Sequence, residues 1–410
     1  MEILAASVLL PMEGPPVDGG ALAVRGGTIA AVGPLGDLRR HLPGAPVRHL
    51  EGCALLPPLA NAHTHLELTG LAPVPRARAV VPWILEVVTL KRSAPEDAWA
   101  RAVGSGLGAC RSTGQGWVAD VVSQPGAAGG YPEGAGAVRA FPEVIAAGEA
   151  RVGEAVAAAG ALAGRLGPHL GGISPHAPYT TCAGAYAVAR GWAERRGLPL
   201  MTHVAESPEE IEFCETGGGP VADLLYRSLG IPPPRPPGIH PVDWLARIGI
   251  LGPGTILVHA VHLGHGHPAL LARTRTGVVL CPRSNRRLSG GTAPGGELLR
   301  AGVRVGLGTD SVLSAGSLDL WQDVRAAVED YGWSPAQALR VATRGGAEVL
   351  GLGAVTGRFA PGLRADILAV PLGSGSGPWE RVLDGGRAAR LWLAGRTEPQ
   401  APPESLRPSR

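Results

Sequence analysis

Short apolar runs alternate with Ala-, Arg- and Glu-rich stretches from Leu55 to about Leu352, and this alternation constrains the chain more than any other feature. Eight runs stand out, at 55–62, 116–122, 136–144, 170–175, 198–203, 255–260, 276–281 and 303–309. Each is followed by a helix-like segment or a long loop, as in Ala98 to Ser112 and Ala183 to Arg196. Strands that alternate with helices pair in parallel, and eight such units predict a closed (β/α)8 TIM barrel. The competing fold, an open doubly wound sheet, wants a glycine-rich turn and a helix start after its first strand. Here that strand ends in histidines.

The two ends read differently. Ala21-Leu22-Ala23-Val24-Arg25, Gly26-Gly27 and Thr28-Ile29-Ala30-Ala31-Val32 form a hairpin pattern. Near the other end, Asp366-Ile367-Leu368-Ala369-Val370 and Arg390-Leu391-Trp392-Leu393-Ala394 are strand-like. These ends predict one small β-sandwich domain assembled from residues 1–57 and 357–410, flanking a catalytic barrel over 58–356. The tail after Glu398 is rich in Pro and Ser and is expected to fray.

Composition matters at three points. Gly 62 and Pro 39 raise the question of disorder, but 45% hydrophobic and 17% charged residues describe a chain with a sizeable core. A net charge of +3 without charge runs gives no pull toward nucleic acid or a membrane surface. Five scattered cysteines without a C-x-x-C pair read as free thiols in a reducing compartment. No apolar run reaches the ~18 residues of a membrane helix. The Ile3 to Met12 stretch follows Glu2 with no positive region before it, so it reads as a strand, not a signal. The expectation is a soluble cytoplasmic protein with a small-molecule substrate, no nucleic-acid or membrane partner, and room for a homodimer.

Five clusters carry chemistry, and each closes a predicted strand: His63-Thr64-His65-Leu66-Glu67, Ser174-Pro175-His176, His203-Val204-Ala205-Glu206, His259-Ala260-Val261-His262 and Gly308-Thr309-Asp310. Alternate residues of a strand share a face, so His63 and His65 can point at one ion. Functional residues of a barrel gather at its C-terminal rim. Three imidazoles and a carboxylate there suit a catalytic divalent ion with one position open to water. Each cluster alone has a plainer reading: an H-x-H pair as ordinary polar residues, Asp310 as a helix cap, Glu67 as a solvated rim residue. His265 and His267 read as loop residues, and His41, His49, His169 and His240 as surface or packing residues. Five clusters falling together at strand ends favour the metal site.

On these residues the chain resembles the amidohydrolase superfamily, in its cytosine deaminase-like branch of mononuclear deaminases. The resemblance runs from the N-terminal strands to Ala365-Asp366-Ile367. It rests on Leu56-Pro57-Pro58-Leu59-Ala60-Asn61-Ala62-His63-Thr64-His65, His203 with Glu206, His259 to Leu263, Cys281-Pro282-Arg283-Ser284-Asn285 and Gly308-Thr309-Asp310-Ser311. Pro58 departs from the family's usual glycine, which touches a turn and no ligand. The resemblance implies that His63, His65, His203 and Asp310 hold one Zn2+, with Fe2+ as a substitute. It implies Glu206 as proton shuttle and His259 as the group that polarises the reacting centre, with Asp310 also catalytic. The aminodeoxyfutalosine deaminases of an alternative menaquinone pathway are similar in His63-Thr64-His65-Leu66-Glu67-Leu68, Val81-Pro82-Trp83-Ile84 and Cys281 to Asn285. The S-adenosylhomocysteine and methylthioadenosine deaminases share most of these motifs. Binuclear relatives bridge their ions with a carboxylated lysine on the fourth strand. Leu170 to Tyr179 has none, and the chain's single lysine is Lys91.

The expected reaction is hydrolytic deamination of a 6-aminopurine nucleoside. Candidate substrate contacts are Glu67, Glu143 and His176 for ribose or base edges, Arg283 and Asn285 at the mouth, and Trp83 as an apolar wall. The H-x-E, P-C-x-x-C deaminase design is absent. Two rivals remain: cleavage of a cyclic amide or C–Cl bond at the same site, and a catalytically dead barrel serving as a scaffold.

Overall fold

The computed structural model describes residues 1–132, 137–388 and 390–397, so the Pro- and Ser-rich tail lies outside the described residues. The chain opens with strands β1 (Glu2–Leu9), β2 (Val17–Asp18), β3 (Gly20–Arg25) and β4 (Thr28–Pro34), helix α1 (Leu35–His41) and strand β5 (Val47–Leu56). Gly26 and Gly27 join β3 to β4 at φ +55 and +78, the left-handed pair that a two-residue hairpin requires. The barrel strands follow: β6 (Leu59–Thr64), β7 (Gln115–Val122), β8 (Val138–Val144), β9 (Ser174–Pro175), β10 (Leu200–Val204), β11 (Thr255–His259), β12 (Gly277–Leu280) and β13 (Arg304–Leu307). Strands β14 (Ile367–Pro371), β15 (Arg390–Leu393) and β16 (Arg396–Thr397) come last.

The end strands form one mixed sheet in the order β16-β15-β14-β5-β1-β3-β4, with β2 on β1. Antiparallel pairing of Leu55 with Ala369 joins the two ends of the chain. Period-two alternation in β1 feeds both faces of this sheet. Leu4 and Ala6 pack with Phe359 and Trp392 on one face, while Ile3 and Ala5 pack with Leu38 of α1 on the other.

The barrel sheet runs β10-β11-β12-β13-β6-β7-β8-β9. A parallel bridge between Ile173 and Leu200, with the Met201 N–H on the Ile173 carbonyl at 3.0 Å, closes the ring. All eight expected strand regions contribute, with two differences. The run 55–62 is two strands, because Pro57 and Pro58 supply no N–H to a ladder: β5 stays with the end sheet and β6 enters the barrel. The run 170–175 is a strand only at Ser174–Pro175. Its Gly171 and Gly172 lie so close to β8 that a Cβ would sit 2.6 Å from Arg139 Cβ and 2.3 Å from Phe141 Cε1. Among the described residues no helix is long and apolar enough to cross a membrane.

Asp366 ties the end sheet to the barrel. Its buried carboxylate accepts the Trp117 indole N–H of β7 at 3.0 Å, the Arg364 guanidinium at 2.7 Å and the Ala394 N–H at 2.9 Å. Asp366→Ala strands these donors, and a loss of about 2–3 kcal/mol in urea unfolding is expected. A change below ~0.5 kcal/mol would show that the tie carries no stability.

Candidate metal centre and active site

The C-terminal ends of β6, β10, β11 and β13 bring the histidines and Asp310 together. His63 and His65 share a face of β6 and its exit, as strand alternation requires. Asn61 anchors this end, donating to Gln115 Oε1 and Thr309 Oγ1 at 2.8 Å each and accepting the Thr309 N–H at 3.1 Å. Four of the non-glycine residues with left-handed backbone stand at these strand ends: Ala205 (φ +50), His259 (+73), Ala260 (+47) and Asp310 (+57). Such conformations cost ~1–3 kcal/mol each and persist where surrounding packing enforces them.

The donor geometry fits an ion. His203 Nε2 lies 3.3 Å from both His63 Nε2 and His65 Nε2. Asp310 Oδ1 lies 3.7 Å from His63 Nε2 and 3.6 Å from His65 Nε2. Four ligands in a tetrahedron at ~2.1 Å from an ion stand ~3.4 Å apart. The Nδ1 of His203 donates to the His176 carbonyl at 2.8 Å and that of His63 faces Met201 Sδ at 3.4 Å, which leaves the Nε2 lone pairs converging. Burial, with His63 close by, pushes the His65 imidazole down to about 3, and burial with the neighbouring imidazoles holds His203 well below its usual range. Burial opposes ionisation of Asp310, but the imidazoles of His63, His65 and His259 outweigh it and hold the carboxyl well below the ordinary range. Ser284 and Ser314 donate to Asp310 Oδ2 at 2.7 and 2.6 Å, leaving Oδ1 for the cluster. Neutral imidazoles and an ionised carboxylate are the donors a divalent cation takes.

Beside this cluster, His259 Nε2 lies 3.6 Å from Glu206 Oε1. His259 Nδ1 is 2.8 Å from Asn285 Oδ1, so its N–H is committed there and Nε2 is the atom free to exchange a proton with Glu206. Without a cation at the cluster, burial, with Asp310 and Glu209 nearby, raises the Glu206 carboxyl to about 8; a divalent ion there would draw it back toward the ionised form that accepts a proton.

A cavity of about 200 Å³ opens over these groups. His65, His203, Glu206, His259 and Asp310 form its polar floor, and Leu68, Val80, Trp83, Ile84, Val87, Leu225 and Leu229 its apolar wall. Of the expected substrate contacts, Trp83, Glu143 and His176 line this cavity. Three do not. Glu67 is 1% exposed, held under the rim by Lys91 and Ser123, so it is neither a substrate contact nor a solvated rim residue. Arg283 turns away to Asp323 (2.7 Å), Ser317 and Ala315, which consume its guanidinium. Asn285 lies behind His259, not in the mouth. His267 opens a helix, with its Nδ1 accepting the Gly264 N–H, where a loop was expected.

Lys91 and Tyr179 also line the cavity, and neither was among the expected substrate contacts. For Lys91 a signal existed: it is the one lysine of the chain, on the segment that also carries Val81-Pro82-Trp83-Ile84.

Glu210, on the helix Pro208–Thr216, accepts the Glu206 N–H at 2.9 Å, and burial pushes its carboxyl from 4.5 up to about 8. The folded state therefore holds an extra proton between those values, and stability falls as pH rises through that window. Glu210→Gln keeps the acceptor and removes the ionisation. From pH 5 to 7 the wild type should lose up to about 1.4 kcal/mol per pH unit relative to the variant in urea melts. Parallel pH curves would exclude this role.

The model of the amidohydrolase family matches residues 54–397, and the chain belongs to this family. A model described as an imidazolonepropionase-like composite domain of bacteria matches residues 20–45. An aminodeoxyfutalosine deaminase of Deinococcus radiodurans is 35% identical over 366 residues, covering 85% of each chain. A 5-methylthioadenosine/S-adenosylhomocysteine deaminase of Pelotomaculum thermopropionicum is 30% identical over 398 residues, covering 90% of this chain and 84% of that one. Among solved structures, an adenosine deaminase from Xanthomonas campestris with bound zinc superposes with a TM-score of 0.81 at 26% identity, covering 96% of this chain and 92% of that one. The chain is an enzyme of the hydrolytic deaminase type.

Proposed function

We propose that this chain removes ammonia from a 6-aminopurine nucleoside, aminodeoxyfutalosine before others, as a step of menaquinone synthesis. The ion is one Zn2+, with Fe2+ as a substitute, and its ligands are His63, His65, His203 and Asp310. One observation carries the reading: three imidazole Nε2 atoms and Asp310 Oδ1 converge beside the Glu206–His259 pair, on the floor of a cavity with an apolar wall. The similarity to the Deinococcus and Pelotomaculum deaminases supports the purine nucleoside class.

A bound divalent ion supplies activation of water at neutral pH. Glu206 takes a proton from the attacking water and returns it to the purine ring nitrogen, then assists the departure of ammonia. His259, fixed by Asn285, faces the oxygen that gains charge as the ring carbon becomes tetrahedral. Trp83 and the aliphatic wall exclude water from the purine face.

The test is a panel of aminodeoxyfutalosine, 5′-methylthioadenosine, S-adenosylhomocysteine and adenosine with zinc-loaded enzyme, following adenine absorbance and ammonia. Turnover is expected on at least one, fastest on aminodeoxyfutalosine. No ammonia from any of the four, or ring opening or chloride release from other substrates instead, would overturn the reading.

A further inference from the structure

Every basic residue of this chain is an arginine except Lys91, which stands on α2 (Val80–Ser93). Its ammonium donates to Glu67 Oε1 at 2.5 Å and to Ser123 Oγ at 2.7 Å. Glu67 is satisfied besides: Oε1 takes the Ser123 hydroxyl at 2.7 Å, and Oε2 takes the N–H groups of Ser123 and Gln124 at 2.9 and 3.0 Å. An ammonium carries three protons, and no other acceptor among the described residues takes the third. Burial works against the charge, yet the carboxylates of Glu67 and Glu143 keep it above the ordinary lysine range.

Lys91 is not sealed beneath the site. It lines the cavity, as Glu143 and His176 do. No donor among the described residues reaches the Glu143 carboxyl, which burial pushes up to about 7. A purely structural partner for Glu67 would be met as well by the planar, bidentate arginine that this chain uses everywhere else. A lysine keeps a compact, rotatable donor free for something in the cavity.

We propose that Lys91 and Glu143 together read a sugar hydroxyl of the substrate: the third ammonium proton goes to the hydroxyl oxygen, and the hydroxyl proton goes to the Glu143 carboxyl. A hydroxyl both accepts and donates, so it answers both groups, whereas a purine ring nitrogen accepts only. A site built this way rejects a ligand that lacks the hydroxyl, because its own polar groups are then left unpaired. The inference rests on the nucleoside reading above.

The experiment takes the fastest nucleoside of the panel with its 2′-deoxy and 3′-deoxy forms, and compares wild type with Lys91→Met. The wild type is expected to prefer the ribonucleoside over one deoxy form by about 10²-fold in kcat/KM, the size that hydrogen bonds to charged groups reach. Lys91→Met should lose that much on the ribonucleoside and little more on the deoxy form, so that discrimination collapses. The single variant leaves Glu67 buried without its cation, so the paired change Glu67→Gln with Lys91→Met is measured beside it and should show the same collapse. Equal losses on ribo and deoxy substrates, or a wild type indifferent to both hydroxyls, would overturn the assignment and leave the deaminase reading standing. A wild type that deaminates no nucleoside of the panel would fail that reading itself, and this inference with it.

Discussion

Glu206→Gln is expected to reduce kcat by about 10³-fold while one metal ion per chain is retained. Glutamine keeps the volume and an acceptor oxygen at the place where Glu206 faces His259 Nε2, 3.6 Å away. It cannot take a proton from water or return one to a ring nitrogen. The loss corresponds to about 4 kcal/mol of barrier, the size associated with removing a positioned acid–base group. Metal content by elemental analysis separates this outcome from loss of the site. A variant within threefold of wild type, still loaded with metal, would show that the proton travels by another group.

Stripping the ion with a strong chelator should abolish activity and lower thermal stability together. Without a cation, the Nε2 atom of His203 faces those of His63 and His65 at 3.3 Å each with nothing between their lone pairs, and Asp310 loses its main counter-charge. An ion present at a thousand times its dissociation constant contributes about 4 kcal/mol, and a fall of about 5 °C in Tm is expected on its removal. One equivalent of Zn2+ per chain should restore both. A second equivalent should add nothing, because Lys91, the one lysine, is committed to Glu67 and unavailable as a bridging ligand. Metal-free protein that still deaminates would refute the centre.

Much of the site is legible along the chain, for a geometric reason. His63-Thr64-His65 on a strand puts two imidazoles on one side, and the strand ends at His203, His259 and Asp310 are forced to one rim once eight parallel strands close. The three misassigned substrate contacts share a different trait. Glu67 lies in the short helical turn after β6, and Arg283 and Asn285 lie in the helix after β12, where direction depends on how that turn packs. Asp323 waits 40 positions beyond Arg283 and takes its guanidinium; no local pattern announces that. Ser284 and Ser314, which orient Asp310, are equally silent, since a serine near a helix start reads as a cap.

What the order of residues determined by itself was the barrel, the joining of both ends in one small β domain, and the side chains able to meet around an ion. Those follow from period, punctuation and residue type, which are local. Only the tertiary structure decided which carboxyl faces the cavity and which lies beneath it: Glu143 is open to the pocket, while Glu67 is capped by a lysine 24 residues further on. Depth below a rim depends on how the loops and helices beyond the strands dock. That docking is fixed by contacts between residues far apart in the chain, which no period along it records.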